Sequence, residues 1–181
     1  MSRTRKSGFT MVEMMVALLV LAVLLVLSAP GLTDLIKNNR MLSYVYSVRA
    51  ALNGARAEAI SQRNSVTLCR STDGQSCATA AGDWNTGFVA FLDGENVGTV
   101  DDPNELIVIS KVIDEDSLTM IYSGGDAVRF DSRGYAAPGT QGTFTVCDDR
   151  GANYARGVRV SAGGIVTAVD PNDPSITFTC P

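Results

Sequence analysis

Residues 9–29 constrain the fold more than any other part of the chain, because they form an almost uninterrupted apolar segment. Fourteen consecutive apolar or small residues run from Met14 to Leu27, and Glu13 is the one charged residue of the segment. Twenty-one helical residues would extend about 31 Å, close to the hydrocarbon thickness of a bilayer. Three basic residues precede the segment, so the N-terminus is expected in the cytoplasm and the rest outside it. We therefore predict a transmembrane helix over 9–29.

A cleaved secretory signal peptide is the alternative interpretation of this pattern. The apolar run is longer than an ordinary signal core, and Ser28-Ala29-Pro30 leads into more helical sequence rather than into a cleavage site and a loop. Apolar residues then recur at three- and four-residue spacing, which predicts an amphipathic helix over 30–62. Because proline removes one backbone hydrogen bond, we expect a kink near Pro30.

The composition changes after residue 62, and 63–181 is predicted to be a β domain. Short runs rich in valine, isoleucine, threonine and aromatics alternate with glycine- and aspartate-containing turns. The predicted strands are Ser65 to Cys69, Phe88 to Leu92, Leu106 to Val112, Leu118 to Tyr122, Val128 to Phe130, Thr143 to Cys147, Val158 to Val160, Ile165 to Val169 and Ile176 to Thr179. The expected fold class is α+β, with one long N-terminal helix packed on an antiparallel β-sheet.

Charge and composition narrow the possible functions. The chain has no histidine, which removes the commonest general base and metal ligand and every Ser-His-Asp or Cys-His arrangement. Without Arg3, Arg5 and Lys6, the chain would have twelve basic and nineteen acidic side chains, which gives a net charge of −7. Such a surface repels phosphate backbones, so DNA binding would need a local basic patch. We predict no catalytic residues, no cofactor and no metal.

Four cysteines, Cys69, Cys77, Cys147 and Cys180, lie beyond the apolar segment. An even number in an exported domain predicts two disulfides. Sequential pairing is favoured, because a short polar turn separates the first two and a bond between the last two would fix the end of the chain. A four-cysteine zinc site is the weaker alternative, since the chain contains no CxxC pair.

Three aromatic residues, Trp84, Phe88 and Phe91, form either a stacking platform for a sugar or base, or part of the core. The second interpretation is favoured, because large aromatics in a β domain are usually buried.

Acidic residues cluster in two places. The first cluster surrounds two glycines, and its side-chain oxygens could bind calcium. The spacing of these residues does not match an EF-hand loop, so a polar hairpin is favoured. A second cluster is expected to be a solvated turn. The first cluster is Asp93, Glu95, Asn96, Asp101 and Asp102, and the second is Asp114, Glu115 and Asp116.

The stretch from Lys6 to Glu13 resembles the N-terminus of type IV prepilins, with a basic leader, a glycine, a phenylalanine and one acid inside an apolar helix. The resemblance implies a leader over 1–8, cleavage between Gly8 and Phe9 by the membrane-embedded prepilin peptidase, and N-methylation of Phe9. Glycine suits the scissile position because an extended backbone without Cβ enters a protease cleft freely.

Glu13 has two possible roles. It can pair with the new α-amine of a neighbouring subunit's Phe9 and set the axial register of assembly, which would compensate a carboxylate near lipid. It can also complete a capping box with Thr10 at the start of its own helix. Both roles can hold at different stages.

The rest of the chain is similar to the GspH/FimT family of minor pilins and pseudopilins. The runs that carry the similarity are Arg56-Ala57-Glu58-Ala59-Ile60, Val66-Thr67-Leu68-Cys69, Gly87-Phe88-Val89-Ala90-Phe91, Phe130-Asp131-Ser132-Arg133-Gly134 and Thr143-Phe144-Thr145-Val146-Cys147-Asp148, with Trp84. The resemblance implies the type IV pilin-like fold. The two cysteine pairs look most like those of the FimU-type minor pilins.

Some FimT-type relatives bind DNA through a basic GRxR motif, which this chain lacks. Gly164-Ile165-Val166-Thr167 stands at the corresponding place. Arg156 and Arg159 lie nearby and would share a surface only if a bulge interrupts the strand, since regular alternation places them on opposite faces. DNA binding is therefore not favoured.

These observations together predict a minor pilin that helps to initiate or join type IV pilus assembly. Its expected partners are the prepilin peptidase, the inner membrane and other pilins, which it would contact through the N-terminal helix. The expected location is the bacterial inner membrane, single-pass with a periplasmic C-terminal domain, and then the filament. The alternatives are a type II secretion pseudopilin, a DNA-binding minor pilin and a membrane-tethered binding module.

Overall fold

A long helix begins the ordered chain in the computed structural model, which describes residues 8–80, 82–94, 97–110 and 118–181. Helix α1 spans Met11–Gln62 and is continuous through Pro30. The chain divides into two units between Asn39 and Arg40. In the first unit the apolar side chains of α1 from Met11 to Leu25 are exposed. Among the residues that the structure describes, no helix satisfies the length and hydropathy required of a membrane span. The span predicted over 9–29 stays a prediction.

In the second unit, α1 packs on the β domain through one stripe of buried side chains. The spacing of these residues alternates between four and three, which keeps them on one face of a helix. They are Met41, Val45, Val48, Leu52, Ala55 and Ala59, all part of one hydrophobic core with the sheets. The amphipathic helix predicted from the sequence is therefore present over this half.

Within the described residues the β domain has two four-stranded antiparallel sheets rather than one. The first has the order β3-β2-β1-β5 and the second β4-β6-β7-β8. The strands are β1 Val66–Arg70, β2 Phe88–Leu92, β3 Leu106–Ser110, β4 Leu118–Tyr122, β5 Ala127–Phe130, β6 Gly142–Asp148, β7 Arg156–Val160 and β8 Val166–Val169. Short 3₁₀ helices occupy Trp84–Thr86, Pro103–Glu105 and Ala152–Tyr154. The acidic turn predicted at Asp114, Glu115 and Asp116 lies outside the described residues.

The aromatic residues weighed as a stacking platform are buried. The ring of Trp84 meets Phe144 edge-on, with centroids 4.8 Å apart, and Tyr122 stacks on Phe144 at 4.0 Å. Phe88 belongs to the same core, whereas Phe91 lies in a smaller cluster with Cys69 and Val89. The core interpretation favoured from the sequence is correct.

The ninth predicted strand, Ile176 to Thr179, is wrong, because this segment has no regular secondary structure. Phe178 is buried in a small cluster with Cys147, Ala155 and Val169, away from the core that contains the helix. A Cβ on Gly157 would lie 2.9 Å from the Phe178 ring. The ring therefore packs against the backbone of β7 at the glycine, where no side chain is in its way. The segment therefore packs across the face of the second sheet and does not extend the sheet at an edge.

Candidate functional site: the N-terminal motif and the β-domain surfaces

The predicted cleavage site precedes the helix in an open position. Gly8 and Phe9 lie before the first residue of α1, and among the described residues beyond its chain neighbours no atom lies within 4 Å of a Cβ built on Gly8. Phe9 is 78% exposed. An exposed, non-helical peptide bond at this position is sterically accessible to a protease. Residues 1–7, which include Arg3, Arg5 and Lys6, lie outside the described residues.

Glu13 takes part in the capping box anticipated from the sequence. The Glu13 amide donates to Thr10 Oγ1 at 3.2 Å, and the Thr10 amide reaches Glu13 Oε2 at 3.5 Å. These contacts satisfy two amides that lack intrahelical partners at a helix start. The distance of 3.5 Å from the Thr10 amide to the Glu13 carboxylate is long for a hydrogen bond, and Glu13 is exposed. The capping box therefore holds this carboxylate only weakly. Its role in registering neighbouring subunits stays a prediction.

The cysteines form two sequential disulfides, Cys69 with Cys77 and Cys147 with Cys180, with Cα atoms 5.6 and 5.8 Å apart. The first closes a turn whose centre is Asp73. That carboxylate accepts hydrogen bonds from the amides of Gln75 and Ser76 at 2.8 and 2.9 Å. These amide bonds lower the pKa of Asp73 well below its usual range.

The second disulfide fixes the C-terminal segment on the second sheet. Cys147 lies in β6, and Cys180 is the penultimate residue of the chain. Neither cysteine pair leaves a free thiol among the described residues.

Asp93, weighed as a calcium ligand, is instead a buried carboxylate in a hydrogen-bonded ion pair. Its Oδ2 atom accepts from Thr67 Oγ1 at 2.6 Å and lies 2.9 Å from Arg129 Nε. Its Oδ1 atom accepts from the Gly98 amide at 2.8 Å. Both oxygens are therefore engaged within the protein, and the described residues contain no cluster suited to a metal ion. The amino-acid sequence does not predict the pair of Asp93 with Arg129, because the partners are far apart in sequence and meet only through strand pairing.

The other acids of that loop act in local structure. Asp102 accepts from the Asn104 amide, and Glu105 accepts from the amides of Asp101 and Asp102, which caps the 3₁₀ helix at Pro103–Glu105. Glu95 and Asn96 lie outside the described residues.

Arg156 and Arg159 do not form a shared basic surface. The pairing of β7 with β6 runs without a register shift from Arg156 to Val160, so residues three apart lie on opposite faces. Arg156 Nη1 donates to the Ala155 carbonyl at 3.0 Å, and Arg159 Nη1 donates to Ser175 Oγ at 3.3 Å. The convergent arrangement considered for DNA is therefore absent from this strand.

A glycine-phenylalanine pair directly before a long helix, and a helix that continues into the core of an antiparallel β domain, are the features of the type IV pilin-like fold. The family model for the type II transport protein GspH matches residues 46–164, and the model for the prokaryotic N-terminal methylation motif matches residues 3–29. The chain therefore belongs to the GspH family.

Solved structures of pilin-like proteins resemble this fold. The type IV minor pilin FimU of Pseudomonas aeruginosa is 21% identical, with a TM-score of 0.60 over 76% of this chain and 93% of that chain. The minor pseudopilin EpsH of the Vibrio cholerae type 2 secretion system is 12% identical, with a TM-score of 0.51 over 72% and 96%. At these identities the likeness shows the fold alone. No curated protein matches the sequence.

Proposed function

We propose that this chain is a minor pilin, processed at its N-terminus and assembled into a type IV pilus through helix α1. The observation that carries the proposal is the exposed Gly8-Phe9 bond, which directly precedes a capped helix start at Thr10 and Glu13. The matched N-terminal methylation motif supports cleavage and methylation at this bond. A structural rather than catalytic role agrees with a chain that contains no histidine.

In this proposal the apolar first half of α1 holds the precursor in the inner membrane, with the β domain in the periplasm. The support for this anchor is the amino-acid sequence, in which residues 9–29 contain a single charged residue and would extend about 31 Å as a helix. Cleavage after Gly8 removes the basic leader and creates a charged α-amine on Phe9. Extraction into the filament then exchanges lipid for the apolar helices of other subunits.

Glu13 would change partners during this exchange. In the precursor its carboxylate is held by the amide of Thr10 at 3.5 Å, a weak contact that is easily given up. In the filament it would pair with the methylated α-amine of a neighbouring subunit, a stronger charge-assisted hydrogen bond in an apolar environment.

A pseudopilin of a type II secretion system is the second candidate. The family name GspH and the likeness to the minor pseudopilin EpsH support it. The minor pilin interpretation is preferred because FimU has a higher identity and TM-score than EpsH. The two sequential cysteine pairs also resemble those of FimU-type minor pilins. Deleting the gene would separate the candidates, because loss of surface pili identifies the first and loss of protein secretion identifies the second.

The processing step is tested by mass spectrometry of the chain extracted from membranes. We expect a mature chain that begins at N-methylated Phe9, and we expect Gly8→Val to accumulate as an uncut precursor because its side chain obstructs the extended backbone. Gly54→Val is a control within α1, since Gly54 is exposed and has open space around it. Normal maturation of Gly8→Val would contradict the proposal.

A further inference from the structure

The loop after β5 holds an arginine over an exposed tyrosine. Asp131 Oδ1 accepts from the amides of Arg133 and Tyr135 at 2.9 and 3.0 Å, and its Oδ2 pairs with Arg133 Nη2 at 2.9 Å. Gly134 has a φ of 80° and donates its amide to the Asp131 carbonyl. The guanidinium carbon of Arg133 lies 5.4 Å from the centre of the Tyr135 ring. This loop is therefore locally ordered and presents a cation and an aromatic ring together.

The chain contains a second loop of the same construction, after β6. Asp148 pairs with Arg150, Gly151 has a φ of 82°, and Arg150 lies 4.5 Å from the Tyr154 ring centre. The two loops differ in exposure, because the side chain of Arg133 is 76% exposed and that of Arg150 only 12%. Only the first loop therefore presents its guanidinium to the exterior.

A groove of about 480 Å³ adjoins the first loop. Its polar lining includes Arg129, Arg133, Asp131 and Tyr135, and its small apolar lining includes Ala136, Ala137 and Pro138. Arg129 is paired with Asp93 through Nε, and its side chain is 28% exposed. A guanidinium has five N–H donors, so the pair with Asp93 orients Arg129 and leaves other donors to bind a ligand. The groove thus combines two oriented guanidiniums, each paired with one carboxylate, with a small apolar surface.

An apolar rim continues this surface. Tyr135, Ile60 at the end of α1, and Ile165 before β8 all have large exposed fractions. Ile60 packs directly on Gly134, where a Cβ would lie 2.7 Å from its Cδ1 atom. The Ala136 amide donates to the Ala162 carbonyl at 3.1 Å, which joins this loop to the turn before Ile165. Exposed apolar side chains that adjoin a groove mark an interaction surface more often than isolated ones do.

We propose that this groove and its rim, the Arg133 surface, dock a segment of a neighbouring filament subunit that carries a carboxylate flanked by aliphatic side chains. The inference rests on the assembly function proposed above. Arg133 binds Asp131 through Nε and Nη2, so Nη1 and the second Nη2 hydrogen are the donors that would bind a partner carboxylate with two parallel hydrogen bonds. The small apolar residues leave room for aliphatic neighbours of that carboxylate. Nucleic acid suits the surface poorly, because it would bring a row of phosphates rather than one carboxylate to a groove that Asp131 also lines, and the chain is acidic overall.

The test places a photo-crosslinking phenylalanine analogue at Tyr135 or at Tyr154 of the full-length protein in cells that assemble filaments. These positions are a matched pair, since both tyrosines stack on an arginine and are about half exposed. At Tyr135 we expect adducts with peptides of another pilin or pseudopilin, linked within a few residues of an aspartate or glutamate. At Tyr154 the yield should be about tenfold lower, and Arg133→Gln should reduce the Tyr135 adduct by a similar factor.

Equal yields at the two tyrosines would overturn the proposal, as would adducts confined to DNA, to lipid or to peptides without an acidic residue. If the chain matures and enters filaments without a preferential Tyr135 adduct, the docking surface is wrong and the assembly function stands. If the chain is neither cleaved nor incorporated, both are wrong. A charge exchange adds a second test: Arg133→Glu should lower the adduct, and lysine at the partner's acidic position should restore it.

Discussion

Replacing Asp93 with asparagine should be among the most destabilising polar substitutions in the β domain. The carboxylate is completely buried, and it is bound by Thr67 of β1, by Arg129 of β5 and by the Gly98 amide. Asparagine retains hydrogen-bonding atoms but removes the negative charge. The Arg129 guanidinium is then left mostly buried without a counter-ion.

The expected loss in the free energy of unfolding is about 3 kcal/mol, the low end of the range for breaking a buried ion pair. The low end applies because the Arg129 side chain keeps 28% of its exposure and can be partly hydrated. Asp170→Asn is the control, since Asp170 is exposed and its Oδ1 accepts one hydrogen bond, from the Asn172 amide at 2.8 Å, which asparagine can also accept. A surface substitution that leaves no buried charge unpaired changes stability by about 0.5 kcal/mol or less, so this control should be nearly neutral.

The assay is denaturant unfolding of the full-length protein in detergent, followed by the fluorescence of the buried Trp84. Asp93→Asn combined with Arg129→Met should cost less than the sum of the two single changes, because the double variant leaves no unpaired charge. A loss below about 1 kcal/mol for Asp93→Asn, or strict additivity of the pair, would refute the argument that the ion pair is energetically coupled.

Three further predictions concern the N-terminus, the disulfides and pH. Glu13→Gln should lower the ratio of this protein in sheared filaments to that in membranes while leaving cleavage intact, whereas an unchanged ratio would indicate that Glu13 only caps its helix. Peptide mapping without reduction should recover the two sequential disulfides, and a peptide joining Cys77 to Cys147 would contradict them. Because amide hydrogen bonds lower the folded-state pKa of Asp73, its stabilising contribution should be complete above its ordinary value of 3.8 and decline as pH falls below it. The stability difference between wild type and Asp73→Asn should therefore shrink below about pH 4, and a constant difference would exclude this role.

Local patterns were sufficient to predict the main elements. The stripe containing Val45, Val48 and Leu52 predicted the amphipathic helix, since helical periodicity depends only on residue spacing. Strands β2 and β4 begin and end where the β-type runs predicted them. The capping box at Thr10 and Glu13 was also visible in the sequence, because all of its atoms lie within one helical turn.

Patterns over a few residues failed where the outcome depended on distant contacts. Ile176 to Thr179 has the composition of a strand, but Phe178 packs on the sheet at Gly157 instead. The polar hairpin favoured for the loop at Asp93 left out its ion pair, because strand pairing is what brings Arg129 beside Asp93. In both cases a partner far away in sequence decided the role.

The amino-acid sequence by itself determined the long helix, the processing motif, most of the strands and the family resemblance, because each depends on short-range periodicity or on residues adjacent in the chain. Only the tertiary structure decided that the strands form two sheets, that Arg156 and Arg159 face apart, and that Arg133 borders a groove. These features follow from strand register and loop packing. A shift of register by one residue would turn every side chain of a strand to the opposite face, and that choice is made by the burial of the whole core.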